Sequence, residues 1–361
     1  MAFTKFLNRY KIPLTICLST KIFLLIFSFF AFQLFTKQEI SSISQFLEIW
    51  NRWDGPHYIE IAENWYQTSG EPSLFIVFFP LYPLLIKLTN FLINDFSTSA
   101  ILVSLIFSFI ATIALFELVL LDFGKKVAYL SVWFLNIYPL AYFLQASYTE
   151  SLFLSVSLLT IYFYRKKFNI ISGTFGIFST LTRVNAMLLL PLLLFEIKNF
   201  KKDLLSLIIL PFGFLVYLGI NFSIYGNFFH FIKPLQENWY KNLDYPWNGI
   251  RNLMNSIPHF KEPNFYIYFS EIVAILFITI MTIVVFIKVR KSYALFMFLN
   301  LLLVTSTNFI LSTPRYSLSL FPIFISLGLI KNKFALLILS LIFIPLLAFF
   351  THLYVQGKWA F

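Results

Sequence analysis

Residues Phe334 to Val355 read FALLILSLIFIPLLAFFTHLYV, an apolar run without a single Asp, Glu, Lys or Arg. At ~1.5 Å rise per residue it makes a helix ~33 Å long, enough to cross the hydrocarbon of a bilayer. The same reading recurs from about Ala100 to Leu121, Val127 to Leu144, Tyr148 to Tyr164, Leu204 to Ile224, Tyr268 to Ile287, Ser292 to Leu311 and Tyr316 to Ile330. Of the 361 residues 59% are hydrophobic, 20% aromatic and only 12% charged, and the mean hydropathy is +0.80. A water-soluble domain of this size is excluded. The sequence predicts an all-α polytopic membrane protein, with residues 1–361 forming a single transmembrane domain.

Lys5, Arg9 and Lys11 precede an apolar run from about Ile12 to Phe35, with no small-residue cleavage site after it. That pattern predicts a retained first helix rather than a signal peptide. The only cysteine, Cys17, lies inside the run, so neither disulfides nor cysteine-based metal sites organise the fold. The net charge of +11 comes from short basic clusters between apolar runs, which read as cytoplasmic loop anchors and not as a nucleic-acid surface.

Two apolar stretches are ambiguous. Leu74 to Ile93 carries Pro80 and Pro83, and Ile170 to Phe195 has Arg183 and Asn185 in its middle. Reading the first as an interfacial or half-inserted helix, and the second as a hairpin turning near Thr182 to Asn185, puts every tight basic cluster on one side: the amino-terminal three, Lys125/Lys126, Arg165/Lys166/Lys167, Lys198/Lys201/Lys202, Lys288/Arg290/Lys291 and Lys331/Lys333. Two simple spans would place the Lys125 and Arg165 clusters outside, against the positive-inside rule. The preferred topology leaves the first loop (36–98), the Ser147 to Glu150 turn, the Arg183 tip, a second large loop (225–267) and Thr313 to Arg315 on the external face. Lys233, Lys241, Arg251 and Lys261 also fall outside, dispersed among acids. No segment between helices is long and polar enough to form a soluble domain, so any chemistry takes place at the membrane surface.

The first loop contains Asn51-Arg52-Trp53-Asp54-Gly55-Pro56-His57-Tyr58, continuing as a short amphipathic helix through Ile61 and Trp65. Asp54, His57, Tyr58 and Ile61 share one helical face. Asp54 reads either as an N-cap or as a catalytic carboxylate. His57 reads as an interfacial polar residue among aromatics or as a site residue, and its spacing to Glu60 and Glu63 is too unspecific to assign a metal. Glu150, Arg183 and Arg315 stand where apolar residues are the default. Ionisable groups at membrane depth face a cavity or a partner, so a mutual salt bridge and ligand binding compete as explanations. Arginine suits a phosphate because its planar fork donates paired hydrogen bonds.

In order along nearly the whole chain, Trp53-Asp54-Gly55-Pro56-His57-Tyr58, Phe78-Phe79-Pro80-Leu81-Tyr82-Pro83-Leu84-Leu85, Tyr148-Thr149-Glu150-Ser151, Leu181-Thr182-Arg183-Val184-Asn185, Pro314-Arg315-Tyr316 and Gly357-Lys358-Trp359 resemble the prokaryotic relatives of the phosphatidylinositol-glycan class V mannosyltransferases. The chain departs from them at Val184, where relatives more often have proline. The resemblance implies a GT-C type multi-helix bundle whose external first loop carries short amphipathic helices and an acidic residue. It also implies a polyprenyl-phosphate-linked sugar donor, often mannose, and a glycolipid or glycan acceptor at the outer face of the plasma membrane. The family's tryptophan-aspartate motif falls on Trp53 and Asp54, and its histidine on His57.

On this reading Asp54 is the base of an inverting transfer, Arg315 and Arg183 bind the donor phosphate, and His57, Glu150, Trp53 and Tyr58 contact substrate. No Gly-rich nucleotide loop is present. No cofactor is assigned, and a divalent cation is left open. The rival readings are a transporter or flippase of lipid-linked glycans, for which internal repeats are expected and none is found, and a non-catalytic membrane subunit.

Overall fold

Asp95 starts the helix around which the others assemble. Its carboxylate accepts from Thr98 N–H at 2.7 Å, satisfying one of the orphan donors of the first turn, and the helix runs Phe96–Leu120. In the computed structural model, which describes residues 2–256 and 265–361, this helix is the most enclosed of the five that are long and apolar enough to cross a membrane among the described residues. The others are Thr4–Thr36, Phe200–Tyr225, Phe265–Lys288 and Lys333–Val355. Their outward faces carry Phe30, Leu215, Ile283 and Leu341, all more than half exposed. A belt of that kind is stable only against lipid. The chain is an all-helical membrane protein, with no strand among the described residues.

Three of the expected spans are broken. The run from Val127 is helical only over Lys125–Ile137, because Pro139 holds Tyr138 in an extended conformation; a 3-10 turn, Ala141–Leu144, follows. Ser292 to Leu311 is helical as Lys291–Thr305, and residues 306–311 leave the helix to meet the second loop. Tyr316 to Ile330 splits into Thr313–Ser317 and Pro322–Gly328. Pro322–Gly328 is buried throughout and packs on Lys125–Ile137. Its apolar character therefore reflects burial in protein rather than in lipid.

The two ambiguous stretches are both bent. Glu71–Val77 and Leu81–Ile93 meet at 113°, and Tyr82 anchors the bend by donating to Ala100 O at 2.9 Å. The second stretch is helical over Asn169–Thr180, extended at Arg183, and helical again over Leu189–Phe195. Its two ends meet, since Asn169 Nδ2 donates to Lys202 O at 2.9 Å and Lys167 pairs with Asp203 at 2.9 Å. The segment thus returns to the end of the bundle that it left, as the hairpin reading requires. The bends also touch: Leu81 N–H donates to Leu181 O at 3.1 Å. Polar backbone groups released by the bends are in this way satisfied inside protein.

Ion pairs tie the basic clusters together at one end. Arg9 holds Glu117, and Asp122 receives both Arg165 and Arg290, the latter also reaching Glu196 at 3.0 Å. Burial opposes ionisation of Asp122, but hydrogen bonds from Arg290 and Arg165 outweigh it and hold the carboxyl at about 2. The folded value lies below the unfolded one, so this stabilisation is complete above about pH 4 and is lost as the pH falls toward 2. Asp122→Asn is expected to cost about 2 kcal/mol, measured as earlier thermal inactivation in detergent, and to flatten the dependence on pH between 4 and 2. Lys261 lies outside the described residues.

Candidate active site at the opposite end of the bundle

Trp53 begins the site with a backbone that few aromatic residues adopt, φ +54°, in the left-handed region. The turn drives Gly55 against Asn51 and Ser147; a Cβ there would sit 2.5 Å from Asn51 Oδ1. Asp54 precedes the helix Gly55–Asn64 but makes no side-chain capping bond. Its amide donates to Tyr148 Oη at 3.1 Å, and its carboxylate turns across the bundle to accept from Arg315 Nη1 at 2.9 Å. The capping explanation of Asp54 is therefore set aside.

Arg315 lies over the rings of Phe143, Tyr148 and Tyr316, with its guanidinium carbon 5.3 Å from the Tyr148 centroid. One edge of its fork meets Asp54, and Nε stands 3.5 Å from Glu150 Oε1. The same Glu150 oxygen accepts from Arg183 Nη2, while Arg183 Nε donates to Thr149 Oγ1 at 2.7 Å. Four charges from four distant segments thus form one chain, Asp54–Arg315–Glu150–Arg183. Glu150 is only 1% exposed, Arg315 12% and Asp54 24%. The cluster opens at Asp54 and is sealed at Glu150.

Hydrogen-bonding capacity in the cluster is incompletely used. Arg315 Nε, Arg183 Nη1, Glu150 Oε2, His57 Nδ1 and Ser147 Oγ are buried without a hydrogen-bond partner among the described residues. Native interiors pair nearly all such groups, with protein, with buried water or with a bound polar ligand.

The remaining predicted residues surround this line. His57 packs on Phe75 and Phe78, with ring centroids 4.3 and 5.3 Å away, and burial pushes its pKa below 6.5. It is neutral at neutral pH, with Nδ1 free to bond. Trp53 is half exposed and packs edge-on to Trp359 at 5.1 Å, which brings the chain's carboxyl-terminal motif to the first loop. Tyr58 faces inward, against Phe78, Tyr82 and Tyr148. Among the described residues no three His, Cys, Asp or Glu side chains are grouped to hold a metal ion.

Sequence reasoning missed Tyr148 and Thr149 as partners of Asp54 and Arg183, and it missed Glu271. Glu271 is fully buried in the spanning helix Phe265–Lys288 and accepts from the amides of Ser312 and Thr313 at 2.6 and 2.8 Å. The signal was available, since an acid inside an apolar run is the same anomaly that singled out Glu150. Lys21 is a second such case, buried in the first helix with no hydrogen-bond partner for Nζ. No protein-family model matches the chain, and no curated protein is significantly similar to it.

Proposed function

We propose that the protein is an inverting glycosyltransferase of the GT-C type, moving a sugar, with mannose the first candidate, from a polyprenyl-phosphate donor to a glycolipid or glycan acceptor. The observation that carries this reading is the chain Asp54–Arg315–Glu150–Arg183 with its unused donors. Two arginines balance two carboxylates, so the site is neutral until an anion arrives. A phosphodiester-linked sugar supplies that anion, and it competes with Asp54 for the Arg315 fork. Asp54 is then released next to the place where an acceptor hydroxyl would sit.

The acceptor oxygen attacks the anomeric carbon from the face opposite the phosphate. The carbon–oxygen bond to phosphate breaks as the new glycosidic bond forms, and the hydroxyl proton passes to Asp54. Charge grows on the departing phosphate, where Arg315 and Arg183 stabilise it within a poorly solvated cluster. A polyprenyl tail can reach the site only from lipid, and the bent Leu81–Ile93 helix, with Leu88, Phe91 and Leu92 exposed, offers an apolar flank for it.

The basic clusters and the acidic-arginine site occupy opposite ends of the bundle. Read with the positive-inside rule, this favours a site facing the extracytoplasmic side, and we propose the plasma membrane as its location. A cysteine introduced as Lys126→Cys in a Cys17→Ser background is expected to react with an impermeant maleimide only after the membrane is opened. Reaction in intact cells would reverse the orientation.

The two bent segments beside a charged cluster also favour a second reading, a flippase of lipid-linked glycans, because discontinuous helices line transport sites. Purified protein in proteoliposomes decides between them. Covalent transfer of radiolabelled mannose from a polyprenyl-phosphate donor supports the transferase. Movement of the intact donor between leaflets, with no transfer from any of several donor sugars, supports the flippase.

A further inference from the structure

Arg315 reaches Asp54 from a five-residue helix, Thr313–Ser317, too short to hold a direction by itself. The stretch before it, 306–312, is irregular and is gripped from two sides. Residues of the second loop run alongside it: Asn308 N–H donates to Asn242 O at 3.0 Å and Asp244 N–H to Ser306 O at 3.1 Å. Lys241 Nζ donates to Phe309 O at 3.0 Å and lies 3.5 Å from Leu311 O. From the bundle side, both Glu271 oxygens are taken up by the Ser312 and Thr313 amides.

Ser312 sits between these grips at φ +72°, ψ 18°, a left-handed conformation that serine adopts only under constraint. The turn it makes aims Thr313–Ser317, and with it the guanidinium, at Asp54. Glu271 is enclosed and its carboxylate is already engaged by backbone, so it is not a rival base. We infer that Glu271, with Lys241, is a positioning pair that fixes the reach of Arg315 and thereby the affinity for the donor phosphate. The last step of this inference rests on the transferase reading; the control of Arg315 does not.

The test compares wild type, Glu271→Gln and Lys241→Met in detergent. An amide at 271 keeps the shape but can offer an oxygen to only one of the two backbone N–H groups, setting a donor against the other. In Glu271→Gln, hydrogen exchange across residues 306–316 is expected to quicken. Modification of Arg315 by phenylglyoxal, mapped by mass spectrometry, is expected to accelerate, and affinity for polyprenyl phosphate to fall about ten-fold or more. In turnover, donor KM rises and kcat falls with it, because Arg315 also meets the charge that grows on the departing phosphate. Should Glu271→Gln fail to fold, Lys241→Met, altered in the external loop, carries the same readouts, with Lys241→Arg expected to restore them.

Unchanged exchange would remove the clamp. Faster exchange with unaltered Arg315 reactivity and unaltered phosphate affinity would make Glu271 merely structural and overturn the inference. If wild type binds no polyprenyl phosphate, the transferase reading falls and phenylglyoxal reactivity alone decides whether the pair sets Arg315.

Discussion

Asp54→Asn is expected to lower sugar transfer by about 10³-fold, within the ~10² to 10⁴ range for loss of a positioned base, while the protein stays folded and inserted. The substitution is isosteric, Asp54 is partly exposed, and its helix does not depend on it for capping. Arg315 keeps its contact with Glu150, so the stability cost is about 1 kcal/mol. Donor affinity gives a sharper check. On the proposed function Asp54 and the donor phosphate share Arg315, so removing the carboxylate's charge is expected to leave polyprenyl-phosphate binding intact or several-fold tighter. Rapid single turnover by a well-folded variant would end the role of Asp54 as base. Loss of binding together with loss of transfer would make it a structural partner of Arg315.

Arg315→Lys carries the second large effect. In the free protein one edge of the guanidinium meets Asp54 while Nε faces Glu150, and the plane of the group lies among Phe143, Tyr148 and Tyr316. A lysine ammonium is a compact point charge and cannot face two carboxylates and three rings in this way. Donor affinity is expected to fall about ten- to hundred-fold, since bonds to charged groups contribute ~1.5–3 kcal/mol, and kcat falls with it because leaving-group charge is less well met. Expression in the membrane is retained, with Arg183 still neutralising Glu150. Unchanged donor affinity measured on purified Arg315→Lys would return the residue to a structural role.

The membrane class was legible in the sequence because lipid-facing helices must be apolar over their whole length. Lys333–Val355 could be read to within one residue, and Phe96–Leu120 to one residue at its end and four at its start, where polar Ser97, Thr98 and Ser99 form the first turn. Pro322–Gly328 misled for the opposite reason: burial in protein and burial in lipid select the same side chains, and only the proline announces the break. The bent stretches were resolved by charge rather than hydropathy, through the need to keep Lys125 and Arg165 on one side. In the site, Glu150, Arg183 and Arg315 stood out as polar residues in apolar surroundings, and Asp54 through the first-loop motif that it shares with Trp53 and His57. The salt bridge of Glu150 with an arginine was among the readings the sequence offered, and Arg183 makes it; the pairing of Asp54 with Arg315 was not, because they are 261 positions apart. Glu271 escaped notice because a single acid hardly lowers the hydropathy of a helix as apolar as Phe265–Lys288.

The contact between Leu81 N–H and Leu181 O bears on how the protein is made. A ribosome delivers the first bend roughly a hundred residues before the second. During that interval a backbone donor at the first bend has no native acceptor in a medium that supplies none, and each such group costs several kcal/mol in hydrocarbon. This cost favours an interfacial position for the Leu81–Ile93 helix, where water can serve the donor, until the 181 carbonyl arrives. The bond thereby couples the insertion of the two bends, so that the first is fully satisfied in hydrocarbon only when the second is in place.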